Sequence, residues 1–277
     1  MEANALSRSG TSVGKTVFWW EEPDPEIALA RYLADRDNTY DRWKFRSVCA
    51  LIPAPQRTKN SALDYGCGGG EFTVWLAKNG WRVAAGDASV HALEACRLHA
   101  RKSGVIASVS FSRTSPPDYW DCFAGRKFEL ILAKDVMEHI ADDAAFLRGV
   151  KEHLSAEGAA VIVTQNDHSW NYLQEAPVMR SQNPRWCGWD PTHLRFYNKS
   201  ALKEKLRQAK LAPVGWRSAY LMPYRAWNSP SSRLLLSLVD KTVGNRVFHF
   251  PEALLGGRWP FNAWGWSLAV KCRHDHD

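Results

Sequence analysis

The chain has 277 residues, of which 45% are hydrophobic, and a formal net charge of +7. That suits one large α/β domain with appendages and a proper core better than two full domains. The charge permits acidic partners without demanding them, since no run of five basic residues occurs. The six cysteines lie far apart without a C-x-x-C pair, which speaks against a disulfide framework or a zinc site and for reduced thiols in a cytosolic protein.

Residues 1–16 are small and polar without an apolar h-region, so they read as a disordered tail and not as a signal peptide. Phe18-Trp19-Trp20 is an apolar patch. A helix is expected over 25–34, with Asp24 as N-cap and Pro25 in its first turn. A second helix over 38–51 shows an apolar face of Tyr40, Trp43, Val48 and Leu51 at helical spacing. Residues 17–55 thus read as an N-terminal helical lid, or as plain packing, on the domain formed by residues 56–277.

The stretch from Ser61 to Asp87 organises the rest. A short apolar run meets Asp64-Tyr65-Gly66-Cys67-Gly68-Gly69-Gly70, a helix follows over 71–79, and a second strand over 81–85 ends at Gly86-Asp87. Strand, glycine turn, helix, strand and acid make half of a nucleotide-binding sheet. Asp87 stands about twenty residues after the turn, where a carboxylate accepts ribose hydroxyls. The dinucleotide pattern G-x-G-x-x-G/A fails at its third position, which is Glu71. The spacing present is acid-x-G-x-G-x-G, through Asp64, Gly66, Gly68 and Gly70.

Further on, a helix over 90–103 stopped by Gly104, a strand over 107–111, a strand over 129–133, a helix over 142–154 capped by Gly158 and a strand over 159–164 are expected. Such alternation implies a parallel sheet with its ligand across the carboxyl ends of the strands, where Asp64, Asp87 and Lys134-Asp135 fall. Residues 165–198 form a polar-aromatic insertion too long to be an idle loop. A helix over 198–210, a strand over 212–222, a helix over 229–243 and a last strand over 264–270 complete the chain. Both insertions, 165–198 and 221–263, are aromatic-rich and would roof the acceptor pocket. Leu234-Leu235-Leu236 on a basic protein also suggests a peripheral membrane contact.

The acid-x-G-x-G-x-G motif resembles motif I of the class I S-adenosylmethionine (SAM) methyltransferases. Over residues 17–210 the chain is similar to the ubiquinone-biosynthesis O-methyltransferases. The likeness rests on motif I, Trp19-Trp20, Arg46, the stretch from Leu98 to Gly104, Asp135-Val136-Met137-Glu138-His139 and Thr192-His193. It implies a Rossmann-like α/β fold with a mostly parallel seven-stranded sheet, helices on both faces and the last strand antiparallel. It implies SAM as methyl donor, held by Asp64, Gly66, Cys67, Gly68, Gly70, Asp87, Ala88 and Lys134, with Arg46 on the SAM carboxylate. At the position where many relatives place an acid near the adenine stands about Ser115.

Methyl transfer from a sulfonium is an in-line displacement in which the protein aligns and desolvates the nucleophile. An oxygen nucleophile also profits from a base, and His193 and His139 are the candidates. Asp135, Glu138 and His139 resemble sets associated with a divalent cation in the quinone enzymes, so Mg²⁺ is a lesser alternative to a metal-free site. The expected function is SAM-dependent O-methylation of a small, largely apolar acceptor in the cytoplasm. C- or N-methylation is the alternative, and a non-catalytic SAM-binding scaffold is disfavoured by the intact motif. A nucleic-acid partner is not expected: the N/D-P-P-Y/F motif of amino methylases is replaced by Lys134-Asp135-Val136-Met137.

Overall fold

A computed structural model describes residues 18–36, 39–115, 119–188, 190–221 and 254–275, without the side chains of residues 39 and 40. The expected tail over 1–16, the helix over 229–243 with Leu234-Leu235-Leu236, Trp189 and most of the second insertion lie outside these residues.

Seven strands form: β1 (Ser61–Tyr65), β2 (Arg82–Asp87), β3 (Val109–Arg113), β4 (Phe128–Lys134), β5 (Leu154–Gln165), β6 (Leu211–Ala219) and β7 (Ser267–His274). They make one sheet in the order β3-β2-β1-β4-β5-β7-β6. The first five pair in parallel. The last strand, β7, runs antiparallel between β5 and β6. The order reverses between β1 and β4, and a crevice opens there at the carboxyl ends.

The helices are α1 (Pro25–Arg36), α2 (Thr39–Cys49), α3 (Glu71–Lys78), α4 (Val90–Lys102), α5 (Asp143–His153), α6 (Trp170–Gln182) and α7 (Lys199–Gln208). Side chains alternate across a strand, so each central strand feeds two layers. Leu63, Ile131 and Ile162 meet Phe146, Leu147 and Val150 of α5 and Leu202 and Leu206 of α7 on one face. Ala62, Leu130, Leu132 and Val161 meet Val48 of α2 and Phe72 and Leu76 of α3 on the other. Trp43, Val48 and Leu51 are buried, as the helical spacing predicts. Caps set the helix starts: Asp24 Oδ1 accepts from the Glu26 N–H at 2.9 Å, and Ser89 Oγ from the Ala92 N–H at 3.2 Å.

Some boundaries differ from expectation. The strand expected over 107–111 lies at Val109–Arg113, behind a 3₁₀ turn at Ile106–Ser108. Gly158 caps no helix: β5 already begins at Leu154, and the register with β4 shifts between Phe128 and Leu130. The strand expected over 264–270 starts at Ser267, after a 3₁₀ turn at Phe261–Ala263, and runs on to His274. The insertion over 165–198 holds a regular element, α6, capped by Ser169 and containing Pro177. No helix among the described residues is long and apolar enough to cross a membrane.

Candidate active site

The turn after β1 wraps into α3 through three glycines in the left-handed region: Gly66 at φ 74°, Gly68 at 52° and Gly70 at 87°. A Cβ at Gly66 would stand 2.3 Å from Val136 Cγ2, so no other residue fits under the loop after β4. One at Gly69 would stand 2.4 Å from the Tyr32 ring. Tyr32 and Trp19, with ring centroids 4.7 Å apart, lie over this turn. The N-terminal segment therefore covers the glycine turn.

Asp87 ends β2 beside that turn. Its Oδ2 accepts from the Gly68 N–H and its Oδ1 from the Ser89 N–H, both at 2.9 Å. Burial raises its pKa while these backbone donors hold it back. Each oxygen keeps a lone pair for a further donor. Ala88 is exposed, and its carbonyl accepts from Arg113 Nε at 3.2 Å. Asp64 lies under the turn, buried, and Oδ2 accepts from Thr73 Oγ1 at 2.5 Å. Burial pushes its pKa up to about 6. The buried Cys67 thiol is pushed up by its contact with Cys96 and by burial, so it is an inert packing group. Ser115 is exposed just after β3.

Beyond β4 the chain turns at Asp135, a non-glycine residue at φ 55°. Its carboxylate is held by Lys44 Nζ of α2, at 2.6 and 2.5 Å, and by Lys134 Nζ at 2.9 Å. Burial pushes Asp135 up, but the two ammonium groups win and hold it well below the usual carboxylate range. Lys134, expected beside the cofactor, thus spends its charge on Asp135, and burial lowers its pKa.

Arg46 is not brought to the turn. It is exposed, with its guanidinium 5.3 Å from the Trp43 ring. The arginine that faces this region is Arg36, at the end of α1. Its guanidinium lies 5.1 Å from the Tyr32 ring and 3.5 Å from Asp41, within the field of Glu71 and Asp135.

Glu138, His139 and His193 converge at the same edge, although 54 residues of chain separate the two histidines. The Leu194 N–H donates to the Glu138 carbonyl at 2.9 Å and ties the insertion to the loop after β4. The two imidazoles lie 4.7 Å apart. Burial and the neighbouring His139 push the His193 pKa down to about 4. Burial and the nearby Asp135 charge push fully buried Glu138 up to about 8. The expected cation set of Asp135, Glu138 and His139 does not assemble for Mg²⁺, because Asp135 is already neutralised by two lysines. The aromatic wall beside His193 consists of Phe196, Tyr172, Trp186 and Trp266, with Phe196 centroids 4.8, 6.0 and 5.7 Å from the others.

Sequence reading missed Tyr32, Arg36 and Lys44, and it gave Thr192 only as part of the likeness, without its bonds to Asp190 and His139. Trp19 was visible as part of an apolar patch, but nothing in a single sequence marks Lys44, a buried lysine on a helix.

Comparisons with known proteins bear on the family and the fold. A family model described as "Methyltransferase domain" matches residues 39–214. A ubiquinone biosynthesis O-methyltransferase of Cereibacter sphaeroides (strain ATCC 17025 / ATH 2.4.3) is 30% identical over 190 residues, covering 66% of this chain and 73% of the relative. The protein of the same name in Ruegeria pomeroyi is 31% identical over 189 residues, with the same coverage of 66% and 73%. Magnesium protoporphyrin IX methyltransferase of Synechocystis PCC 6803, solved with bound S-adenosylhomocysteine, aligns with TM-score 0.55 at 11% identity, over 90% of this chain and 94% of its own. The cyclase SpnF aligns equally well, with TM-score 0.55 at 16% identity, over 98% and 91%. Structural likeness at such identities shows the fold alone.

Proposed function

Since the chain belongs to the methyltransferase-domain family, whose model spans residues 39–214, we propose that it transfers the methyl group of SAM to a hydroxyl of a small, largely apolar acceptor. The observation that carries this reading is the left-handed glycine turn from Gly66 to Gly70 with Asp87 beside it, at the switch point of the sheet. Gly66, Gly68 and Gly70 let the backbone approach the donor, and Asp87 takes the ribose hydroxyls. We assign the donor's carboxylate to Arg36 in place of Arg46, because Arg36 faces the turn and Arg46 faces solvent.

The acceptor enters between the aromatic wall and the loop after β4. Tyr172, Trp186, Phe196 and Trp266 offer flat apolar surface, which supports an aromatic or lipid-like acceptor. The relatives named O-methyltransferases support oxygen as the nucleophile. In the transfer a bond forms between that oxygen and the methyl carbon as the carbon–sulfur bond breaks. Sulfur keeps the electron pair and becomes a thioether, and the hydroxyl proton leaves to an imidazole. His193 is neutral at neutral pH and lies beside the wall, so it faces the acceptor, with His139 behind it.

Calorimetry of SAM and S-adenosylhomocysteine tests the reading, with Asp87→Asn beside the wild type. Micromolar binding by the wild type, weakened at least ~10-fold in the variant by the loss of one charge-assisted hydrogen-bonding group, is expected. No binding by the wild type would sink it. A screen of phenolic acceptors, with product identified by mass, then reads the acceptor class.

A further inference from the structure

We infer that His99 is a positioning residue for the methyl donor: its Nδ1–H holds the Gly69 carbonyl and keeps the peptide unit between Gly69 and Gly70 from turning over. The inference rests on the reading of the glycine turn as the donor site.

His99 stands in the last turn of α4, in the stretch from Leu98 to Gly104 that carries part of the likeness. Its Nδ1 lies 2.9 Å from the Gly69 oxygen, in a partly buried contact. A carbonyl can only accept, so Nδ1 must carry the proton, in the neutral ring as in the imidazolium. The neutral ring then keeps its lone pair on Nε2.

The bonded carbonyl belongs to the peptide unit that joins Gly69 to Gly70. The other end of that unit, the Gly70 N–H, donates to the Cys67 carbonyl at 2.9 Å. The unit is thus held at both ends, by Cys67 within the turn and by His99 from outside it. The need for a second hold follows from the sequence. Gly68, Gly69 and Gly70 carry no Cβ to restrict φ, and Gly68 and Gly70 sit in the left-handed region. Rotation about ψ of Gly69 and φ of Gly70 turns the unit over while its neighbours stay in place. That flip would break the bond to Cys67 and swing the carbonyl away from α4. It would also disturb Gly70, whose own carbonyl accepts the first bond of α3, from the Val74 N–H at 2.9 Å.

Two helices press on the same glycines. Cys96 and His99 are three residues apart and share a face of α4. Cys96 Sγ would stand 2.7 Å from a Cβ at Gly70, and the Tyr32 ring of α1 2.4 Å from one at Gly69. Such packing fixes how close the turn lies to the helices, but it is non-directional and orients no carbonyl. A hydrogen bond does, because it weakens steeply away from its axis. On the other side, Asp87 Oδ2 accepts from the Gly68 N–H at 2.9 Å. Asp87 and His99 therefore fix the two peptide units that flank the one joining Gly68 to Gly69. The backbone that approaches the donor is ordered in advance, and less binding free energy is lost in ordering it.

The test is calorimetry of SAM and S-adenosylhomocysteine on the full chain, with His99→Asn, His99→Gln and His99→Leu beside the wild type. An asparagine amide nitrogen takes the place of Nδ1, whereas that of glutamine takes the place of Nε2. His99→Asn should bind within ~3-fold of the wild type, and His99→Gln and His99→Leu at least ~10-fold more weakly, the effect of one lost buried hydrogen bond. Exchange of the Gly70 amide proton should quicken at least ~10-fold in His99→Leu and return towards the wild-type rate in His99→Asn. Imidazole nitrogen shifts of the wild type without donor should show His99 protonated at Nδ1. Where His99→Leu does not fold, the two amide variants carry the comparison. A bare Nδ1, equal losses of affinity in all three variants, or a lowered Tm with wild-type affinity in His99→Gln and His99→Leu would overturn the positioning role. A wild type that binds SAM while all three variants match it overturns this role alone. A wild type that binds neither ligand overturns the donor site, and this role with it.

Discussion

Asp64 shows how one residue of the glycine motif serves the fold before it serves a ligand. It is buried, it accepts from Thr73 Oγ1, and its pKa rises from 3.8 to about 6. The folded state therefore holds the Asp64 proton more tightly than the unfolded chain. The associated stability is complete below about pH 3.8 and is lost as pH rises through about 6. Asp64→Asn keeps a carbonyl for Thr73 and removes the titration. The variant should be more stable than the wild type at pH 8, by up to about 3 kcal/mol, and the gap should close towards pH 4. Denaturant melts across that range decide it, and a gap independent of pH would contradict the assignment. Arg46 shows the converse. Trp43 and Val48 define the buried arc of α2, and at 100° per residue Arg46 lies about 130° from its centre. The helical phase was legible, and it already placed Arg46 in solvent. Motif likeness pointed to it because a motif carries residue type and order but no side-chain direction.

At the scale of elements, α1 and the glycine turn are built around each other. The Tyr32 hydroxyl accepts from the Glu71 N–H at 3.4 Å, and the ring fills the space that a Cβ at Gly69 would need. Gly69→Ala should cost about 1–3 kcal/mol through overpacking and lift α1 from the turn. A fall in Tm of about 2–4 °C per kcal/mol and a SAM Kd raised about 10-fold are expected. In a Tyr32→Ala background the same substitution should cost almost nothing, because the clashing ring is gone, and a double-mutant cycle by thermal melts measures this coupling. Additive costs would show that the ring and the turn are independent. The strands and helices around Asp87 were legible because apolar periodicity and turn glycines coincide there. Helix α6 was not. Its apolar Trp170, Leu173 and Val178 are exposed, whereas Asn171, Glu175 and Ala176 are buried. No apolar stripe marks its period, and Pro177 reads as a breaker. Only Ser169, whose Oγ accepts from the Tyr172 N–H at 3.1 Å, carried a start signal.

Over the whole molecule, the parallel half of the sheet follows from strand–helix alternation, whereas the place of β7 between β5 and β6 does not. Periodicity says that a strand exists but not where it inserts, so this feature was available only through family likeness. The meeting of Glu138 and His139 with His193 has the same character, since topology brings them together across 54 residues of chain. Charge is the other global property. A net charge of +7 would favour polyanions if the cations lay in one field. The described surface answers many of them locally: Arg31 with Glu22, Lys59 with Glu157, Arg97 with Glu94, Lys102 with Glu26 and Arg207 with Glu204. The buried Lys44 and the largely buried Lys134 are spent on Asp135. Dispersed, paired cations displace few counterions from a nucleic acid. Binding to RNA or duplex DNA should therefore be weak, and log K against log salt should have a slope no steeper than about −3. A binding titration from about 50 to 200 mM salt measures it. A slope of about −6 or steeper would mean that several cations act on phosphates together, and the acceptor would have to be sought among nucleic acids.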